Sequence, residues 1–549
     1  MTSTLRGADI VIKTLEKAGD FPIFTLSGNH IMSLFDAAID SQLELFHVRH
    51  EGATVHMADA YGRLTGTPGI AWVTGGPGHA NAVGALFTAQ GQETPMVLLS
   101  GHTETWQLNR GGFQELRQVE MAAPVTKASW MATDTATVGM EVAKAIRLAS
   151  AGRPGPVHLS LPSDVLDASV AQSDVVWPSA DDFAAAPLEL NDAAAKTILE
   201  IIAAADKPLL IAAPRFATRP GRALLAQLEA SLGIPSAIIE SPRGVKDATL
   251  GAFAEAARHA DLVVLLGKAL DFTLNFGSDP INPESRFISI DPEGALVERA
   301  ARELGPRLAF GCVADTMPAA QTLIRMGHEM RAERDTAWFD STRSLIHDRP
   351  ADWAELKSQT ADKLHPAELF LALKPYVEKD PDTILICDGG EYAQWGQAIL
   401  NNDRRMINGV AGSIGSSLPM AAASRVVDRK APVFAILGDG TFGFHMAEFE
   451  TAVRLNLPFI AVVGTDSRWN AEYNLQVRDY GPNRTYGCEL DPTRYDQVVV
   501  AMGGHGELVT DIKDLAGAVE RAVASGKPAC INVMIESIPS PIAKAPSAQ

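Results

Sequence analysis

Short apolar runs alternate with longer amphipathic stretches along almost the whole chain, and that alternation predicts parallel strands covered by helices. Three blocks repeat it. In the first, residues 69–74, 95–100 and 156–161 read as strands closed by Gly, Ser or Pro, and 52–64 reads as a helix. A Ser-, Asp-, Ala- and Pro-rich stretch, 167–187, reads as a linker. The second block restarts with strand-like 207–213, 260–267 and 286–291, and polar helical sequence from about 322 to 363 reads as a bridge. The third opens near His365 and carries 383–387, 432–437, 459–463 and 529–534. A Pro/Ser-rich tail after Ile535 is expected not to pack tightly. The expected fold class is α/β, with three doubly wound parallel-sheet domains at 1–170, 188–345 and 364–538, whose ligands gather at the carboxyl ends of strands.

Composition narrows the function classes. A chain of 549 residues, 46% hydrophobic and 21% charged, is globular and long enough for about three cores. Its 66 acidic against 47 basic side chains give a net charge of −19, which repels phosphate backbones and anionic lipid, so neither nucleic acid nor a membrane is an expected partner. Four cysteines without a CxxC spacing indicate neither a disulfide framework nor a cysteine zinc site and suit a reducing compartment. The N-terminal sequence lacks the apolar region of a secretory signal, and no apolar run reaches the ~18 residues of a membrane helix, so a cytoplasmic location is expected.

The strongest chemical signal is Leu437-Gly-Asp-Gly-Thr441, which directly follows an apolar run and precedes helix-like 444–455, a second strand at 459–463 and Thr465-Asp466-Ser-Arg-Trp-Asn470. A crossover to the adjacent parallel strand brings Asp439 and Asp466, 27 positions apart, side by side at one sheet edge. Two carboxylates there suit Mg²⁺, which completes its shell with phosphate oxygens and water. Gly438 and Gly440 leave backbone N–H groups free to approach a diphosphate. A Gly-Asp-Gly turn alone is commonplace; the strand context and the second acid give it chemical meaning.

This arrangement resembles the thiamine diphosphate binding motif, and the resemblance runs essentially end to end. Arg49-His-Glu51-Gly-Ala resembles the segment whose glutamate contacts the cofactor's aminopyrimidine. Thr74-Gly-Gly76-Pro-Gly78 with Asn81, Phe113-Gln114-Glu115, Pro124-Val-Thr-Lys127 and Gly155-Pro-Val-His-Leu-Ser-Leu-Pro162 are similar to pieces of the acetolactate synthase group. Gly28-Asn-His30, Glu120-Met-Ala-Ala-Pro124, Gly481-Pro-Asn-Arg484 and Lys527-Pro-Ala-Cys-Ile-Asn532 resemble benzaldehyde lyase within it. The resemblance implies pyrimidine-binding, central and diphosphate-binding domains in that order, and a homodimer or homotetramer with active sites formed between subunits. It also implies roles. Glu51 donates to the aminopyrimidine and so promotes loss of the thiazolium C2 proton, after which the ylide adds to a carbonyl. In Gly409-Val-Ala-Gly412-Ser-Ile414-Gly415, the Gly412 carbonyl holds the 4′-amino group and Ile414 wedges the cofactor into its bent shape. Gly76, Asn81, Gly389, Gly390, Glu391, Tyr392, Gly438, Gly440, Thr441 and Trp469 line the cofactor. Mg²⁺ is held by Asp439, Asp466 and the carbonyl of Arg468. His30 and Gln114 face a small carbonyl substrate and shuttle protons, whereas His50 and His79 read as structural.

One departure stands out, since Asp466 and Thr465 replace the usual asparagines, which adds a negative charge beside the diphosphate. The paired histidines of dedicated decarboxylases are missing around Phe113-Gln114, which favours a carbon–carbon lyase or carboligase acting on 2-hydroxy ketones, aldehydes or 2-oxo acids. The main rival is a 2-hydroxyacyl-CoA lyase or oxalyl-CoA decarboxylase-like enzyme, with Lys544 the only cation of the tail. The resemblance implies a central domain that holds FAD, ADP or nothing. Here Asp291 ends a strand but no GxGxxG opens the block, so an empty central domain is expected over a nucleotide. A flavin-retaining oxidoreductase and a catalytically silent subunit complete the alternatives.

Overall fold

The computed structural model describes residues 3–330 and 336–542. Two compact units form, one from 1–186 with 422–429, the other from 187–421 with 430–549. The first opens with β1 (Thr4–Arg6) and builds a six-stranded sheet from β2 (Ile23–Thr25), β3 (Leu45–His47), β4 (Gly69–Val73), β5 (Met96–His102), β6 (Ala128–Met131) and β7 (Pro156–Pro162), all parallel, in the order β3-β2-β4-β5-β7-β6. β4, β5 and β7 are buried along their whole length, which is why they read as continuous apolar runs rather than alternating ones. The helix after β3, Glu51–Thr65, starts where the His50 side chain accepts from the Gly52 amide and stops at Gly66, whose φ of 75° is left-handed.

The expected linker is partly built into this unit. β8 (Ser169–Ala171) pairs antiparallel with β1 as a two-stranded ribbon, the Val176 amide donates to the Ala136 carbonyl, and Val175 and Trp177 pack on the core. Its polar composition hid those apolar anchors.

The second unit holds two sheets. β9 (Pro208–Ala212), β10 (Ser236–Ile238), β11 (Leu262–Leu266), β12 (Arg286–Asp291) and β13 (Leu308–Val313) form a parallel sheet in the order β10-β9-β11-β12-β13. Alternate residues feed opposite faces: Leu210, Val264 and Ile288 enter one apolar cluster, and Leu209, Val263 and Phe287 the other. The stretch expected as a bridge covers this sheet instead. Helix Thr316–Met330 sends Ala319, Ala320 and Leu323 into the first cluster, and helix Thr336–His347 sends Ile346 and Trp338 toward the second.

The last sheet takes β14 (Ile384–Asp388), β15 (Arg404–Ile407), β16 (Val433–Gly438), β17 (Ile460–Thr465), β18 (His505–Val509) and β19 (Ala529–Met534), all parallel, in the order β15-β14-β16-β17-β19-β18. The six-stranded sheets therefore share one permutation, second-first-third-fourth-sixth-fifth. In each the chain leaves the first strand in one direction and returns for the third on the other side, which opens a crevice between those strands' carboxyl ends. No described helix is long and apolar enough to cross a membrane.

Candidate functional site

In the second unit the crevice lies between β14 and β16. β16 ends at Gly438, and helix Asp439–His445 starts on the next residue, so the Gly-Asp-Gly backbone is itself a helix N-terminus. The expected single helix 444–455 is instead this one and a second, Glu448–Arg454. Asp439 accepts from the amides of Gly440 at 2.9 Å and Ser467 at 2.8 Å, and the second bond ties it to the end of β17. Asp466 accepts from the Arg468 amide at 3.2 Å.

The two carboxyls are buried, at 2% and 8% exposure. Burial pushes Asp439 up to about 6. It pushes Asp466 up to about 7, with the charge of Asp439 as the next cause. Two desolvated acids that resist ionising together fit a divalent cation. Among the described residues no group of three His, Cys, Asp or Glu side chains could hold a metal, so an ion here completes its shell with carbonyl, phosphate and water oxygens, as Mg²⁺ prefers.

One cavity of about 200 Å³ is lined by Gly389, Gly390, Glu391, Tyr392, Gly412, Ile414, Gly438, Asp439, Gly440, Thr441, Asp466, Arg468 and Trp469, every residue anticipated in this unit. A Cβ on Gly438 meets nothing within 4 Å, whereas one on Gly440 lies 2.7 Å from the Trp469 ring and one on Gly389, at φ +104°, lies 2.5 Å from the Thr441 hydroxyl. The backbone is thus bare toward the cavity and pressed on its walls behind. Tyr392 is mainly a packing residue, its ring against Gly464 and Phe370. Glu391 pairs with Arg243 at 3.5 Å and accepts from the Ser540 amide. A larger cavity of about 500 Å³ shares only Asp466 and Arg468 with the anticipated set and is bordered by Lys363, Glu489 and Glu536.

Two contributors carried no readable signal. Pro242 and Arg243 line the smaller cavity from a loop after β10 without a motif. The tail is held by two main-chain carbonyls and one hydroxyl: Trp395 Nε1 donates to Pro539 O at 2.9 Å, Asn470 Nδ2 to Ile538 O at 2.8 Å, and the Ser537 hydroxyl to Asn470 Oδ1 at 2.9 Å. The expectation of a loose tail is corrected as far as Ser540; Ile542 is exposed, and Lys544 lies outside the described residues.

In the first unit the anticipated residues follow β2 (His30), β3 (Glu51), β4 (Gly76 and Asn81) and β5 (Gln114), and so gather at the carboxyl edge of the sheet. Glu51 is the first residue of its helix and accepts from Asn81 Nδ2 at 3.0 Å. Thr74 links the group: its hydroxyl lies 3.2 Å from His30 Nδ1, and a Cβ on Gly78 comes within 2.7 Å of its methyl and 3.4 Å of Glu51 Oε1. His30 Nε2 lies 3.3 Å from the Phe113 carbonyl, and its rings stack with Phe113 at 6.0 Å. Burial lowers the His30 pKa, which favours the neutral ring that can accept as well as donate. Gln114, at φ +55°, lies against Gly76, where a Cβ would meet its carbonyl at 2.5 Å. His50 caps the Glu51 helix, and His79 is buried on Ser100 at 2.8 Å. Burial lowers His79 to about 4. In the central sheet, Asp291 Oδ1 accepts from the Glu293 amide at the strand end.

Residues 5–121 match the family model described as thiamine pyrophosphate enzyme, N-terminal TPP binding domain, and 388–533 match the C-terminal TPP binding domain. The chain is 29% identical to an acetolactate synthase large subunit of Mycobacterium tuberculosis over 544 residues, 97% of this chain and 96% of that protein. It is 27% identical to 2-hydroxyacyl-CoA lyase 2 of Danio rerio, covering 97% and 92%, and 27% identical to acetolactate synthase of Bacillus subtilis, covering 97% and 93%.

Proposed function

For a chain that belongs to the thiamine pyrophosphate enzymes, we propose a thiamine diphosphate- and Mg²⁺-dependent carbon–carbon lyase or carboligase acting on 2-hydroxy ketones, aldehydes or 2-oxo acids. The observation that carries it is the single cavity on which the Gly-Asp-Gly helix start, Asp466, Gly412 and Ile414 converge. When bound, the cofactor would supply the electron sink that carbon–carbon cleavage or ligation next to a carbonyl requires. Asp439, Asp466 and the Arg468 carbonyl would hold the metal; Gly438, Gly440, Thr441, Gly389, Gly390, Glu391, Tyr392 and Trp469 would line the diphosphate site; and Gly412 and Ile414 would position the aminopyrimidine end. Glu51 holds a proton at the aminopyrimidine beside Gly76 and Asn81. His30 and Gln114 move protons at the substrate oxygens.

The domain roles follow: pyrimidine-binding over 1–170, central over 188–345, diphosphate-binding over 364–538, with the central sheet structural. Homodimers or homotetramers complete the sites between subunits, a reading supported by the exposed apolar residues beside the site, Phe113 at 63% and Phe444 at 53%. The four free thiols suit a cytoplasmic, reducing setting. Full-length similarity to a 2-hydroxyacyl-CoA lyase favours one second reading, in which the donor is a CoA thioester. Calorimetry with thiamine diphosphate and Mg²⁺, followed by turnover of pyruvate, benzoin, formaldehyde and 2-hydroxyacyl-CoA, tests both. Saturable binding with cleavage or ligation of the non-thioester substrates is expected, thioester-only turnover selects the second reading, and no binding refutes the proposal.

A further inference from the structure

Gly415 follows Ile414 at φ +101° and is held at both its amide and its carbonyl. Its amide donates to Asp388 Oδ2 at 3.0 Å, and the same oxygen accepts from the Ser417 amide at 2.8 Å and the Ser416 hydroxyl at 3.5 Å. Asp388 is fully buried at the end of β14, with its other oxygen lacking a hydrogen-bond partner, so the whole acceptor capacity in use is spent on this segment. The Gly415 carbonyl receives His445 Nδ1 at 2.7 Å. His445 ends the helix that begins with Asp439, and Phe444 of that helix lies where a Gly415 Cβ would stand, 2.5 Å away.

We infer that Asp388 and His445 are positioning residues that clamp Gly415 and thereby fix Ile414 and the Gly412 carbonyl relative to the diphosphate-binding helix. The inference rests on the proposed cofactor reading. Neither residue touches the cofactor in it; each acts through the backbone. A free segment with three left-handed glycines, Gly409, Gly412 and Gly415, samples many conformations, and hydrogen bonds to the two peptide units flanking the Gly415 Cα select the one that presents Ile414 to the cavity. Because His445 is carried by the same helix as Asp439, the bend-setting segment and the metal-binding segment keep one geometry.

His445→Phe keeps the ring and removes the donor; His445→Gln restores a donor. Hydrogen exchange of the 409–417 amides in the cofactor-free protein reads the clamp without any activity. Exchange about tenfold faster in His445→Phe is expected, together with a kcat lower by about tenfold at a substrate KM changed by less than about threefold, as loss of one positioning hydrogen bond implies. His445→Gln is expected to recover both. Asp388→Asn, which retains an acceptor oxygen, is expected to stay near wild type in exchange. Wild-type exchange in His445→Phe overturns the clamp, and fast exchange with wild-type kcat overturns its role in positioning. Absence of thiamine diphosphate binding by the wild type is a separate failure, that of the cofactor reading, and leaves the exchange result to decide the clamp.

Discussion

Replacing Asp466 by Asn removes one of two neighbouring buried carboxylates, and the metal-free protein should become more stable for it. The Asp466 carboxyl is raised from 3.8 to about 7 by burial first and by Asp439 second. An acid whose pKa is higher in the fold than in the unfolded chain opposes folding once it ionises. The penalty is absent below 3.8, grows as pH rises toward 7, and is complete above it. A rise from 3.8 to about 7 corresponds to about 4 kcal/mol at pH 8 and to less than about 2 kcal/mol at pH 5. Asn keeps an oxygen for the Arg468 amide, so little else is lost. Thermal midpoints measured in chelator at pH 8 and pH 5 should show the variant several degrees above wild type at pH 8 and much less at pH 5. With Mg²⁺ and thiamine diphosphate at pH 8 the advantage should shrink or invert, because the removed charge is the proposed metal ligand. An equal shift at both pH values, or a lower midpoint at pH 8, refutes the electrostatic reasoning.

Glu51→Gln should lower turnover by at least about 100-fold while leaving the thermal midpoint unchanged, as removal of an acid–base group implies; full activity discards Glu51 as the activator. Gly440→Ala puts a methyl 2.7 Å from the Trp469 ring. Its displacement should change tryptophan fluorescence and weaken cofactor binding by about tenfold, the scale of a disturbed close contact, and unchanged affinity contradicts the pressed-wall geometry. His30→Ala should depress kcat/KM unevenly across the carbonyl panel, and an unchanged profile removes its proton-transfer role.

Most interior strands were legible because burial on both faces writes them as apolar runs: β4, β5, β7, β11 and β14 read directly, whereas interior β2, only three residues long, did not. Edge strands were not, for the opposite reason. β15 carries Arg404 and Arg405, both half-buried and the latter paired with Glu240 at 2.6 Å, and β10 has only three residues. Asp439, Asp466 and the glycines of the second unit were legible because metal and phosphate chemistry restricts residue type. Arg243 and the strap 537–540 were not, because they are placed by tertiary hydrogen bonds to carbonyls and carboxylates that any sequence can supply. The clamp on Gly415 belongs with them: His445 reads as an ordinary helix-end histidine until its carbonyl partner, 30 positions away, is seen.

A crystal structure of the protein grown with thiamine diphosphate and Mg²⁺ tests the central claim most directly. The account predicts the diphosphate on the amides of the Gly438–Thr441 turn and a metal at about 2.1 Å from both Asp439 and Asp466, the octahedral Mg²⁺ distance. A cofactor seated elsewhere, or a metal bound without these two carboxylates, contradicts it.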